Sequence, residues 1–181
     1  MRFGMIKILL LLNFIVILTL ANDIRNHTEE SIEKLFGGDV EYEMIKFHIP
    51  ADLKSSIENE VKQKFFADEI YIWKIKQGNN LKGYALLDNV YGKSMPITFL
   101  VIFDKELKIA NSSIVKYREP YGGAVGNESW NAQFKGKNGN SNYNVGSDIS
   151  AISGATISVH SVSKGVRKLA LLLPKITDRI K

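Results

Sequence analysis

The sequence predicts an α+β fold: a single domain with an antiparallel β-sheet meander and flanking helices, behind an N-terminal signal or anchor segment. Three observations predict it. Four runs between residues 70 and 117 are rich in β-branched and aromatic residues, and the polar turns between them are too short for helical crossovers. Amphipathic 3.6-residue patterns flank this region on both sides. A length of 181 residues, 45% hydrophobic and 24% charged, suits one globular domain and excludes disordered or collagen-like chains.

In chain order, the first element is a leader, residues 1–21. Arg2 and Lys7 precede an apolar run from Ile8 to Ala21 that only Asn13 and Thr19 interrupt. About fourteen helical residues cover roughly 21 Å, short of a hydrocarbon core of roughly 30 Å. This is the form of a secretory signal peptide or an N-terminal membrane anchor, and both place residues 22–181 outside the cytoplasm. Thr28 to Phe36 reads as a short helix closed by Gly37-Gly38. A second helix opens at Pro50, with Leu53, Ile57, Val61 and Phe65 on one face. Strands are expected over Ile70–Lys76, Leu81–Leu87, Ile97–Phe103 and Lys108–Tyr117. Turns are expected at 77–80, 88–96 and 104–106, and the doubly apolar Ile97–Phe103 run marks a central strand. A short helix follows over Ser129–Phe134, then a polar loop from Gly136 to Ser147. The last helix places Val159, Val162, Val166, Leu169 and Leu173 on one face, with Pro174 marking its end.

Composition removes several chemistries. There is no cysteine, so a disulfide framework, an iron–sulfur cluster, a thiolate zinc site and a cysteine nucleophile are all excluded. His27, His48 and His160 are far apart and share no metal-ligand spacing, so no metal site is expected. Gly92-Lys93-Ser94 resembles the end of a phosphate loop, but Leu87 stands where the upstream glycine is required. Glu119 and Asp148 read as solvated or capping carboxylates rather than an acid–base pair. The net charge of +5 equals the surplus of the segment from Lys164 onward, which holds six basic residues and one acidic residue. A nucleic-acid-binding face is therefore not indicated. The basic end offers a contact to anionic lipid or to an acidic redox partner, or is simply a solvated helix terminus.

The segment Asp148–Ser158 differs from the rest. Small residues and a glycine stand directly before a helix, where open backbone N–H groups and the helix dipole favour an anion. A phosphate held near Thr156 is one reading, and Thr156 as an N-cap hydroxyl is the other.

Ser153-Gly154-Ala155-Thr156-Ile157-Ser158 resembles the S/T-G-A-T-x-S/T signature of the FMN-binding domain family. That family includes the G subunit of the Rnf complex and the C subunit of the sodium-translocating NADH:quinone reductase. Two upstream blocks agree. Tyr117-Arg118-Glu119-Pro120-Tyr121-Gly122-Gly123 resembles the family's R-E-x-x-G loop, and Trp130 with Gln133-Phe134-Lys135-Gly136-Lys137 resembles its W-x-x-Q-F-x-G-K helix. The resemblance runs from about Leu81 to Leu173. It implies FMN joined to the Thr156 hydroxyl as a phosphoester, installed by a secreted flavin transferase that uses FAD. Ser153, Gly154 and Ala155 would surround the phosphate, Ser158 would add a hydroxyl, and Glu119 and Tyr121 would lie near the isoalloxazine ring or shape its pocket. One departure stands out: Ser150 occupies the place of the family's usual aspartate, with Asp148 two residues earlier. Trp130, Phe134, Tyr71 and Trp73 read as core and sheet packing rather than flavin-stacking groups. The resemblance thus implies an extracytoplasmic, covalently flavinylated electron carrier. Its partners would be a membrane redox complex or a soluble redox protein. A flavin-free binding protein of the same fold and a small flavin-dependent reductase are the alternatives.

Overall fold

The computed structural model describes residues 23–180, so the expected leader lies outside the described residues. Five strands form one sheet in the order β1-β2-β3-β4-β5, every neighbouring pair antiparallel. The strands are β1 (Glu41–His48), β2 (Glu69–Gln77), β3 (Asn80–Tyr91), β4 (Pro96–Asp104) and β5 (Ile109–Lys116). The helices are α1 (residues 23–36), α2 (Ala51–Val61), α3 (Glu128–Asn131) and α4 (Thr156–Ile176). Among the described residues no helix is long and apolar enough to cross a membrane.

The meander is as expected, with one strand more. β1 escapes sequence reading because Glu41, Glu43, Lys46 and His48 give it little apolar alternation. Such charge suits an edge strand, where it discourages further pairing. Its Lys46 pairs with Glu69 of β2 at 2.6 Å. β3 also runs four residues further than expected. Asp88 to Tyr91 read as a polar turn, yet they pair with β4 from Asp88↔Phe99 to Tyr91↔Pro96.

Both long helices depart from the expected ends. α2 stops at Val61, because Lys62 adopts a left-handed conformation (φ 55). The Glu58 carboxylate accepts the Phe65 N–H at 2.8 Å, and this bond brings the Phe65 ring back into the core although it lies beyond the helix. Pro174 does not end α4, which continues to Ile176. Proline at this place supplies no N–H to the Ala170 carbonyl. The loop at Gly139 packs against that carbonyl instead, so closely that a Cβ there would lie 2.9 Å from it.

The sheet separates two apolar clusters. On one face α4 packs Val159, Val162, Val166, Leu169 and Leu173 over Leu86, Phe99, Val101 and Phe103, with Phe65, Trp130 and Phe134 in the same core. Gly165 sits so close to the sheet that a Cβ would come within 2.8 Å of Phe99 and Val90. On the other face Ile32 of α1 joins Trp73, Ile75, Ala85, Leu87, Leu100 and Ile102 in a smaller cluster.

Candidate functional site

The turn into α4 is built from backbone geometry. Gly154 has φ +77, a conformation that strongly favours glycine, and the Ala155 N–H closes the turn on the Ile152 carbonyl at 3.1 Å. Ala155 is the N-cap and is buried, whereas Ser153 and Thr156 are exposed. No side chain caps the helix. The capping role open to Thr156 at the sequence level is therefore not used. Thr156 is the first helical residue, and its amide, with those of Ile157 and Ser158, precedes the first intrahelical bond, Val159 N–H to Ala155 O at 2.9 Å.

Two distant stretches hold this turn. The loop after β5 reaches it through Tyr117. The Tyr117 hydroxyl donates to the Tyr121 carbonyl and lies 2.9 Å from Ser158 Oγ. With the phenolic proton so placed, Ser158 is the donor of that second bond. Gly122 (φ +85) fits between them; a Cβ there would stand 2.6 Å from the Tyr117 oxygen and 3.2 Å from Ser158 Oγ. From the other side, Trp130 Nε1 donates to the Ser150 carbonyl at 2.9 Å. The Ser150 N–H donates to Gln133 Oε1 at 2.8 Å, and Gln133 Nε2 donates back to the Trp130 carbonyl at 3.0 Å. Ser150 is thus fixed through its backbone on both sides. Asp148 is engaged in its own turn, accepting the Asn144 N–H at 3.1 Å and the Ser147 hydroxyl at 3.2 Å.

Glu119 and Tyr121 differ in placement. The Glu119 carboxylate accepts the amides of Ser94 at 3.0 Å and Met95 at 3.2 Å, so it fastens the β3–β4 loop. These backbone donors, that of Ser94 foremost, hold it below the usual glutamate range. Gly92 makes room for it, since a Cβ there would lie 2.1 Å from Glu119 Oε1. Tyr121 contributes its carbonyl to the cluster while its ring is 82% exposed, so the ring packs on none of the core. Trp130 and Phe134 are buried and meet edge to face, as their reading as core groups expects.

Sequence reasoning missed the pair that locks α4 to the sheet. Lys168 Nζ lies 3.1 Å from Asp88 Oδ2 with both side chains buried, donates to the Lys64 carbonyl at 3.0 Å and stands 4.4 Å from the centre of the Phe65 ring. Burial pushes the lysine down and the aspartate up, and each partner opposes the shift of the other. The signal was present: a lysine beside Leu169 on the helix, and an aspartate continuing an apolar strand. The basic surplus at this end is partly structural, since Arg167 also pairs with Glu60 of α2 at 3.0 Å.

The three motif blocks therefore converge on one turn, and comparison with known proteins agrees with that arrangement. The family model of the FMN-binding domain matches residues 92–170. Over this segment the chain resembles an FMN-binding domain. The match spans β4, β5, the Tyr117–Gly123 loop, the Trp130 block and most of α4. The chain's fold is similar to that of the crystal structure of Shewanella oneidensis NqrC, at a TM-score of 0.57 and 14% identity, covering 82% of this chain and 87% of that one. No curated protein matches the sequence.

Proposed function

We propose that this protein is an extracytoplasmic flavoprotein electron carrier, with FMN attached through a phosphoester to Thr156 Oγ. One observation carries the reading: Thr156 presents an exposed hydroxyl at the uncapped N-terminus of a 21-residue helix, on a turn that the other two motif blocks hold in place. The residues present fit a phosphoryl group. Open amides at Thr156 to Ser158 and the positive end of the helix dipole offset phosphate charge, and Gly154 keeps side-chain atoms out of the approach.

In maturation by a flavin transferase, Thr156 Oγ would bond to the phosphorus of the FMN half of FAD. The hydroxyl proton is lost and AMP departs as the leaving group. Bound flavin supplies one- and two-electron transfer. The chain's own part is attachment, positioning and a rigid support. Tyr117 and Ser158 brace the turn, and the exposed Tyr121 ring stands at the same surface. The electron partners in this reading are a membrane redox complex or a soluble redox protein, and residues 1–21 serve to export or anchor the carrier.

Expression with an active, exported flavin transferase, followed by denaturing electrophoresis, tests this directly. The band is expected to fluoresce as flavin, and Thr156→Val is expected to abolish the signal. A dark wild-type band beside a fluorescent control substrate sinks the carrier reading. A Thr156→Val band as bright as wild type moves the attachment elsewhere.

A further inference from the structure

The flank of α4 that begins at Thr156 carries its own charge pattern. Residues three or four apart share one face of a helix, so Thr156, His160, Lys164 and Arg167 form a single line. Lys164 stands about 12 Å along the helix axis from Thr156. His160 and Lys164 divide two clefts, of about 320 and 280 Å³. Lys62, Lys64, Phe66 and Tyr91 help to line the first, and Tyr143 and Arg167 the second.

Among the described residues neither cleft has a carboxylate in its walls. Lys64 and Arg167 are answered from outside, by Glu58 at 2.8 Å and Glu60 at 3.0 Å. Lys62 and Lys164 are both exposed and pair with no carboxylate among the described residues. The Lys164 ammonium lies 3.5 Å from the Lys62 carbonyl, so the two stand side by side. Adjoining cations without a counter-charge raise a positive potential, and a concave protein wall focuses it. The rim of the first cleft is aromatic. Phe66 and Tyr91 are 40% and 65% exposed, with ring centres 5.1 Å apart. Aromatic side chains are enriched where proteins dock.

We propose that this flank docks the acidic surface of an electron-transfer protein. The proposal rests on the carrier reading, in which the redox group sits at Thr156, at one end of the same line. A partner seated over Lys62 and Lys164 stands beside that end, and its carboxylate side chains can enter both clefts. A bilayer surface is flat over this distance and would meet only the rim. Redox encounters use small interfaces, and charge steers them more than area does. An acidic redox protein unrelated to the natural partner therefore serves as a probe.

The test uses the full-length Thr156→Val chain, titrated calorimetrically with flavodoxin, an acidic redox protein, and with cytochrome c, a basic one. This binding needs no covalent flavin, so a failed attachment and a failed docking surface read out separately. Flavodoxin alone is expected to bind at low ionic strength, and most of that binding should be lost by about 0.15 M, where screening acts within about 8 Å. The double reversal Lys62→Glu with Lys164→Glu is expected to weaken it by about tenfold or more. Lys105→Glu lies in the β4–β5 turn, at the opposite end of β4 from the Tyr91 hairpin, and is expected to change it by less than about twofold. Equal binding of the two probes, no binding of flavodoxin, or equal losses in the two variants overturns the proposal. So does binding to phosphatidylglycerol vesicles that the double reversal abolishes while flavodoxin does not bind, which would assign the flank to a membrane.

Discussion

The two faces of the sheet are treated differently. One lies beneath α4, whose 21 residues bury a continuous apolar stripe and hold the buried Lys168–Asp88 pair. Among the described residues the other receives α1 alone and keeps a cleft of about 440 Å³. The proposed attachment residue Thr156 belongs to the fully packed face, at the start of its longest helix. The proposed covalent attachment needs a support that does not move, and close packing supplies one.

Breaking the lock on the packed face is expected to give the largest effect. Lys168→Ala strands a buried aspartate and should destabilise the domain by about 4 kcal/mol in denaturant unfolding. The double variant Asp88→Leu with Lys168→Met should recover most of that loss, because an apolar pair of similar volume removes both desolvation penalties. Next comes a matched pair of truncations. Leu169→Ala under α4 should cost about 4 kcal/mol, and Ile32→Ala under α1 about 2 kcal/mol, since a partly open face can collapse around the deletion. Equal losses would erase the contrast between the faces. The smallest effect is local. Glu119→Gln should lower hydrogen-exchange protection of the Ser94 and Met95 amides without unfolding the domain. The carboxylate sits below its ordinary value, so its contribution is present above the ordinary glutamate range and is lost as pH falls through the depressed value. Protection of those two amides should therefore fall on acidification in wild type and stay level in Glu119→Gln.

Much of the fold was legible where period and turn chemistry agreed. The runs at β2 and β4 alternate or are apolar throughout, and the connections between the four central runs are too short for crossovers, so the antiparallel meander followed. β1 was not legible, because an edge strand buries one side weakly and its charges hide the period. The far end of β3 was hidden for another reason: Asp88 and Asn89 look like turn residues until Lys168 and Thr98 are seen to satisfy them. Pro174 misled because a proline near a helix end removes one hydrogen bond, and the loop at Gly139 covers the carbonyl that loses its partner.

The sequence by itself determined the class of fold, the three motif blocks and the residue that offers a hydroxyl at a helix start, because these rest on local spacing and residue type. Tertiary structure alone decided that the blocks meet. Tyr117 reaches Ser158 across 41 positions, and Trp130 and Gln133 clasp Ser150 across 20 and 17. It also decided that Glu119 fastens a hairpin loop, that Lys168 belongs to the core, and that the Trp73 indole N–H finds no acceptor among the described residues. Hydrogen bonds and burial between residues far apart in the chain depend on how the elements stack, and no local pattern encodes that.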